Sequence, residues 1–368
     1  MTDWSSLVAV PRPEFDPFDI GGVSEIKRRF GLAEAVKLHW NENLFGPLPG
    51  VLEAAREELE NAWMYPEDAY QGFREDVAEV LGITPASVFP GHGTQSLIGT
   101  IATAFLRPGD AVVVPEPTYY LYGRACAARG AAVHAVPLRD LRIDVEALVE
   151  TARRTGARLL WLCDPNNPTG DLLPRDAWDA VLDELPESCV AVVDEAYVDY
   201  VPEEDRVPRI ASVAERRVVV LRTFSKLFGL AGLRLGYAVA SEELVPSFAL
   251  VEEPYNVNCV ALAAGRACVR ATEAVERRRA EVAAARELLV DGLRRAGGEP
   301  FPSVANFVLA RLDVDDTLLA DGLARRGLLV RPGSELGLPG YVRITVAPAP
   351  LVRRLVDALA EVASELRS

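Results

Sequence analysis

Val218-Val-Val-Leu-Arg-Thr-Phe-Ser-Lys-Leu-Phe-Gly-Leu-Ala-Gly-Leu-Arg-Leu-Gly-Tyr-Ala-Val239 holds two apolar runs separated by a glycine-rich turn that carries one amine, Lys226, and two guanidiniums, Arg222 and Arg234. The runs, Val218–Leu221 and Leu235–Val239, are apolar throughout rather than alternating, which marks strands covered on both faces. Five further runs of the same kind precede them: 87–89, 111–114, 132–136, 158–162 and 190–193. Amphipathic or Ala-rich stretches lie between them, so the sequence predicts an α/β fold with a mostly parallel, seven-stranded sheet covered by helices. Such sheets bind ligands at the carboxyl ends of their strands. Asn167 follows the fourth run, Asp194 the fifth and Lys226 the sixth, so one crevice is expected to hold all three.

After Pro254 the pattern changes to a long Ala/Arg/Glu helical tract over roughly 260–296, then short strands and a last helix from about Pro350. This reads as a smaller α+β domain completed by the N-terminal segment. The expected division is 1–44 as an N-terminal arm and part of the small domain, 45–255 as the large domain and 256–368 as the small C-terminal domain.

The chain has 368 residues and a formal net charge of −15, which repels polyphosphate backbones and anionic lipid surfaces, so neither nucleic acid nor membrane is an expected partner. The N-terminus Met1-Thr-Asp-Trp-Ser-Ser lacks an export-signal layout and no apolar run is long enough to span a bilayer, so a cytoplasmic location is expected. Five cysteines and three histidines are too dispersed for a metal cage, and no metal is expected.

Lys226 reads as a Schiff-base lysine. Thr223 and Ser225 flank it and Arg234 follows, so donors for a phosphate stand on both sides of the amine. Gly91-His-Gly93-Thr94-Gln95-Ser96 follows a strand and opens a helical tract, whose free N–H groups and dipole would form the second half of a phosphate cup. Asp194 ends an apolar strand and needs a cationic or hydrogen-bonding partner to stay ionised, which a pyridinium N–H would supply; the alternative is a cap on the next helix. Tyr197 could donate to a cofactor oxygen or simply pack. Tyr119 could stack on a pyridine ring or belong to the core. Asn167, in Asp164-Pro-Asn-Asn-Pro-Thr-Gly170, is by itself a turn residue, and Arg331 and Arg343 are strand cations that edge solvation would also explain.

In order, Asn41-Glu-Asn, Tyr65-Pro, Gly93-Thr, Tyr119, Asn167-Pro-Thr-Gly, Asp194-x-x-Tyr197, Ser225-Lys226, Arg234 and Arg343 resemble the pattern of the class I/II, fold-type I aminotransferases, and the segment Ser24-Glu-Ile-Lys-Arg-Arg-Phe-Gly-Leu32 before Lys37-Leu-His-Trp-Asn-Glu-Asn43 looks most like the histidinol-phosphate aminotransferase subfamily. The resemblance implies pyridoxal 5′-phosphate on Lys226. Asp194 would face the ring nitrogen, Asn167 and Tyr197 the phenolic oxygen, and Gly93, Thr94, Gln95, Thr223, Ser225 and Arg234 the phosphate. It further implies a homodimer with shared active sites, Tyr65 reaching the neighbour's cofactor phosphate, and Asn43, Arg331, Arg343 and the Phe18 position near the substrate.

The implied reaction moves an amino group from histidinol phosphate or an aromatic amino acid to a 2-oxo acid such as 2-oxoglutarate. Decarboxylation of a phosphorylated amino acid is the alternative with the same cofactor apparatus, and a cofactor-binding regulator without turnover a remote third. The chain departs from the subfamily at Leu44, at Gly46-Pro-Leu-Pro49, in the Gly93-Thr-Gln-Ser96 loop and at Phe18, where a tyrosine is usual. The missing hydroxyl removes a bond to a substrate phosphate, a loss of roughly 1.5–3 kcal/mol. These departures bear on the substrate and leave the cofactor residues intact.

Overall fold

The structure, a computed structural model, describes residues 22–367; Phe18 lies outside the described residues. All seven expected strands form: β1 (Val88–Gly91), β2 (Ala111–Glu116), β3 (Ala132–Pro137), β4 (Leu159–Cys163), β5 (Val190–Asp194), β6 (Val218–Thr223) and β7 (Gly236–Val239). They make one sheet in the order β1-β7-β6-β5-β4-β2-β3. Strands β2 to β6 pair in parallel, whereas β7 runs antiparallel to both of its neighbours, β6 and β1.

Every residue of β4 and β5 is buried, as central strands whose sequence is apolar up to the terminal Asp194 require, while β3 at the edge is largely exposed. Alternation along each strand divides the core between the two faces. Leu159, Trp161, Val192 and Val219 join one apolar cluster, and Leu160, Leu162, Val193 and Val220 the other. The first cluster continues through Leu289, Phe307 and Ile344 into the C-terminal part, so the two parts share apolar packing.

A second sheet contains β8 (Glu299–Pro300), β9 (Phe307–Arg311), β10 (Arg331–Pro332) and β11 (Tyr341–Thr345), in the order β10-β11-β9-β8 and antiparallel throughout. The N-terminal segment reaches this region: Val36–Lys37 pairs in parallel with Leu328–Leu329, and Leu38 O accepts from Thr345 N at 2.8 Å.

The single helical tract expected over 260–296 is two helices, Cys259–Val269 and Thr272–Arg295, broken at Ala271 (φ −91°, ψ 45°). The first packs on helices Val51–Glu58 and Gln71–Leu81, where Arg266 and Arg270 both pair with the buried Asp76; the second packs on the C-terminal helix Ala349–Arg367. Two different packing surfaces, not composition, end the first helix. Among the described residues no helix is long and apolar enough to cross a membrane.

Candidate active site

The parallel strands deliver their carboxyl ends to one edge of the large sheet, and the antiparallel β7 begins at that same edge. Tyr119 after β2, Asn167 after β4, Asp194 at the end of β5, Lys226 after β6 and Arg234 before β7 therefore converge, as does Gly93 after β1.

Helix Gly93–Phe105 begins there with no side-chain cap on its first N–H groups. The Arg234 guanidinium lies directly against it: a Cβ built on Gly93 would stand 2.5 Å from Arg234 Nη2, and Gly93 itself has φ +70°. Arg234 donates to Ser225 Oγ at 3.4 Å, Ala231 O at 3.1 Å and Gln95 Oε1 at 3.1 Å, all neutral acceptors. Thr223 Oγ1 accepts from Ser225 N at 3.1 Å and so shapes the same turn. A cation at the positive end of a helix is electrostatically unfavourable unless an anion sits between them. This cup fits a phosphate.

Asp194 is 2% exposed, and burial raises its pKa to about 6 against the lowering effect of its donors and of Lys226. Its Oδ2 accepts from Tyr122 Oη at 2.9 Å and its Oδ1 from Ala196 N at 3.1 Å. Each carboxylate oxygen offers about two acceptor sites, so capacity for one more cationic N–H remains. Lys226 is half-buried, with Nζ donating to Asn41 O at 3.0 Å and Trp40 O at 3.3 Å and standing 5.4 Å from the Tyr197 ring centroid. Burial first, then the Arg343 charge, lowers its pKa from 10.5 to about 8. A substantial share of this amine is neutral, and hence nucleophilic, near neutral pH.

The acceptor atoms of two neighbouring side chains are already filled by protein donors. Tyr197 Oη accepts from Asn41 Nδ2 at 3.1 Å, and Asn167 Oδ1 accepts from Arg343 Nη1. What remains for a ligand is the Tyr197 hydroxyl proton and the Asn167 amide N–H groups, so this wall fits an acceptor oxygen. Arg343, 6% exposed on β11, also donates to His39 O at 2.6 Å, and its Nε is buried without a hydrogen-bond partner among the described residues. Its pKa is lowered to about 10 by burial.

The other expected positions are placed as follows. Thr94 is half-buried in the first turn of the cup helix, and Gln95 bridges Arg234 to the hydroxyl of the half-buried Tyr119, 2.8 Å away. Asn43 Nδ2 donates to Leu227 O at 2.5 Å and its Oδ1 accepts from Phe45 N, so it fastens the N-terminal segment to the lysine turn. Arg331 faces Arg343 in register across β10 and β11 and pairs with Glu335 at 2.9 Å. Tyr65 is 81% exposed and stacks on Tyr255 with centroids 4.8 Å apart.

Three participants were missed from sequence. Tyr122 lies one helical turn beyond Tyr119, is fully buried and stacks on Trp161 with centroids 5.1 Å apart; the spacing of three from Tyr119 was the available signal. Asn41 was read only as part of a motif. Arg209, 1% exposed, pairs with Asp164 and with Glu195, whose second oxygen takes Arg222 at 2.9 Å. It thereby ties the loop before Asn167 to the residue after Asp194, and nothing local in Val207-Pro-Arg-Ile announces it.

The sequence profile of the family aminotransferase class I and II matches residues 33–359. Histidinol-phosphate aminotransferase of Symbiobacterium thermophilum is 39% identical over 338 residues, 92% of this chain and 93% of that protein. The same-named protein of Brevibacillus brevis is 35% identical over 341 residues, 92% of this chain and 93% of that one. Among solved structures, the histidinol-phosphate aminotransferase of Sinorhizobium meliloti, in complex with pyridoxal-5′-phosphate, superposes with a TM-score of 0.88 at 29% identity, covering 96% of this chain and 98% of that one. A crevice built around a nucleophilic lysine, a buried carboxylate and an anion cup thus stands on a fold and sequence shared with these proteins, and the chain belongs to the aminotransferase class I and II family.

Proposed function

We propose that this protein is a pyridoxal-phosphate-dependent aminotransferase, a cytoplasmic homodimer that takes histidinol phosphate as amino donor and a 2-oxo acid such as 2-oxoglutarate as acceptor. The observation that carries the reading is the half-buried Lys226 amine, its pKa brought down to about 8, in a crevice whose other walls are an ionisable buried Asp194 and unpaired donors. When bound, pyridoxal phosphate supplies the aldehyde and the electron-withdrawing ring on which amino transfer runs.

The protein's part divides among named atoms. Gly93, Thr94 and Arg234 would hold the phosphate. Asp194, steadied by Tyr122 and Ala196 N, would keep a proton on the ring nitrogen. Tyr197 and Asn167 would donate to the ring oxygen, and Tyr119 would face the ring. The freed Nζ of Lys226 would move the proton at the substrate carbon that bears the amine. Arg343, with its orphaned Nε, and Arg331 beside it would take the substrate's anionic group through charge-assisted bonds. The donor's identity rests on the relatives, whose names carry histidinol phosphate at 39% and 35% identity.

Dimerisation is supported by apolar side chains gathered near Tyr65: Trp63 and Tyr65 are each 81% exposed, and Met64 and Tyr255 nearly half. The test is a donor panel of histidinol phosphate, phenylalanine and tyrosine with 2-oxoglutarate, in parallel with sedimentation of the protein. Glutamate formation fastest from histidinol phosphate by a dimer is expected. Equal rates from the free aromatic amino acids would sink the donor assignment, and carbon dioxide release without need of a keto acid would replace transamination by decarboxylation.

A further inference from the structure

Asn41 has a backbone conformation that asparagine tolerates and few residues share, with φ +54°, and it is 1% exposed. It sits in the strap formed by residues 39–43, between the lysine turn and β11. Its main-chain O accepts from Lys226 Nζ at 3.0 Å and from Asn306 Nδ2 at 3.1 Å. Its side chain runs between two hydroxyls. Nδ2 donates to Tyr197 Oη at 3.1 Å, and Oδ1 accepts from Thr345 Oγ1 at 3.2 Å.

The orientation of the amide follows from the count of donors. Thr345 Oγ1 accepts the Asn41 main-chain N–H at 3.0 Å, so its own proton needs an acceptor, and among the described residues Asn41 Oδ1 takes it. A flipped amide would leave that proton unpaired in a site where Thr345 is 1% exposed, a cost that buried hydroxyls avoid. Nδ2 is therefore the atom turned toward Tyr197. A tyrosine hydroxyl has one proton; with an N–H already directed at its oxygen, that proton must point away from Asn41 and into the crevice.

We propose that Asn41 is a positioning residue of the active site: locked by Thr345, its amide fills the Tyr197 oxygen and so commits the Tyr197 proton to an acceptor oxygen of the bound cofactor. The inference rests on the cofactor reading above and adds a chain from β11 through Asn41 to the donor on that oxygen. A donor on the ring oxygen draws negative charge from it and so lowers the affinity of the neighbouring Lys226 nitrogen for its proton. Without Asn41 the Tyr197 proton is free to turn, and that affinity rises.

The test is the pH midpoint of the near-visible absorption band of the protein loaded with pyridoxal phosphate. The variants are Asn41→Gly, which keeps the positive φ and the main-chain carbonyl, Thr345→Val, which removes the lock on the amide together with the acceptor of the Asn41 main-chain N–H, and Tyr197→Phe alone and combined with each. Asn41→Gly is expected to raise the midpoint by roughly one pH unit, a tenfold gain in proton affinity, and Thr345→Val to raise it by less. In the Tyr197→Phe background neither should move it further. An equal shift with and without the Tyr197 hydroxyl, or none in either background, would overturn the proposal. A wild-type protein without any such band would overturn the cofactor reading itself, so the two failures are distinguishable. Thr345→Val keeps the test decisive if Asn41→Gly does not fold.

Discussion

The lowered proton affinity of Lys226 can be tested by pH alone. An ordinary lysine with a pKa of 10.5 is neutral in about one molecule in a thousand at pH 7.5. Burial beside Arg343 brings Lys226 to about 8, so that about a quarter of the amine is neutral at that pH, roughly a 200-fold larger nucleophilic population. The cofactor-free protein should therefore take up pyridoxal phosphate with a rate that climbs tenfold per pH unit below about 7 and levels off above about 8. Stopped-flow mixing across pH 6–10, following the near-visible band, reads this directly. Arg343→Met removes the second largest cause of the shift, and the break in the profile should move upward. A wild-type profile still climbing near pH 10 would show that the crevice does not tune the amine, and the electrostatic reasoning would fail.

Three further outcomes are expected. Gly93→Ala forces a Cβ to within 2.5 Å of Arg234 Nη2 at a backbone φ of +70°, so cofactor affinity measured by titration should fall at least about tenfold while the fold persists. Arg209→Met leaves Asp164 and Glu195 buried without their shared cation and should cost about 3–5 kcal/mol, read as a lower denaturation midpoint. Burial raises the folded-state pKa of Asp194 from 3.8 to about 6, so the cofactor-free folded protein binds the extra proton and gains stability from this group as pH falls from about 6 toward 4. Cofactor-free Asp194→Asn should accordingly be the more stable protein at pH 7 and lose most of that advantage by about pH 4.5 in urea titrations; an advantage constant with pH would contradict the sign.

The strands were legible because their burial is written in composition: β4 is apolar throughout and β5 at every position but its last, and a chain of that kind has few options besides a sheet centre. The residues at the carboxyl edge followed from the same reading, since Asp194, Asn167 and Lys226 stand just where apolar runs stop. What escaped depends on tertiary approach. That Arg234 meets Gly93 requires β7 to run antiparallel, and no local pattern in Leu235–Val239 fixes direction. Arg209 gains its partners from two other segments, Asp164 after β4 and Glu195 after β5. Asn41 and Thr345 are 304 residues apart, and their bond exists only because the N-terminal strap lies across β11. The helical tract was misjudged for the same reason: composition favours helix through Ala271, but the two halves serve different packing surfaces.

The most direct measurement is chemical trapping of the cofactor on the protein. The sequence contains only three lysines, Lys27, Lys37 and Lys226, so peptide mapping after borohydride reduction assigns the adduct without ambiguity. The wild-type protein should show a near-visible band that vanishes on reduction, with the added mass on Lys226 alone, and Lys226→Ala should show neither. An adduct on Lys27 or Lys37, or a band that survives in Lys226→Ala, would contradict the central claim.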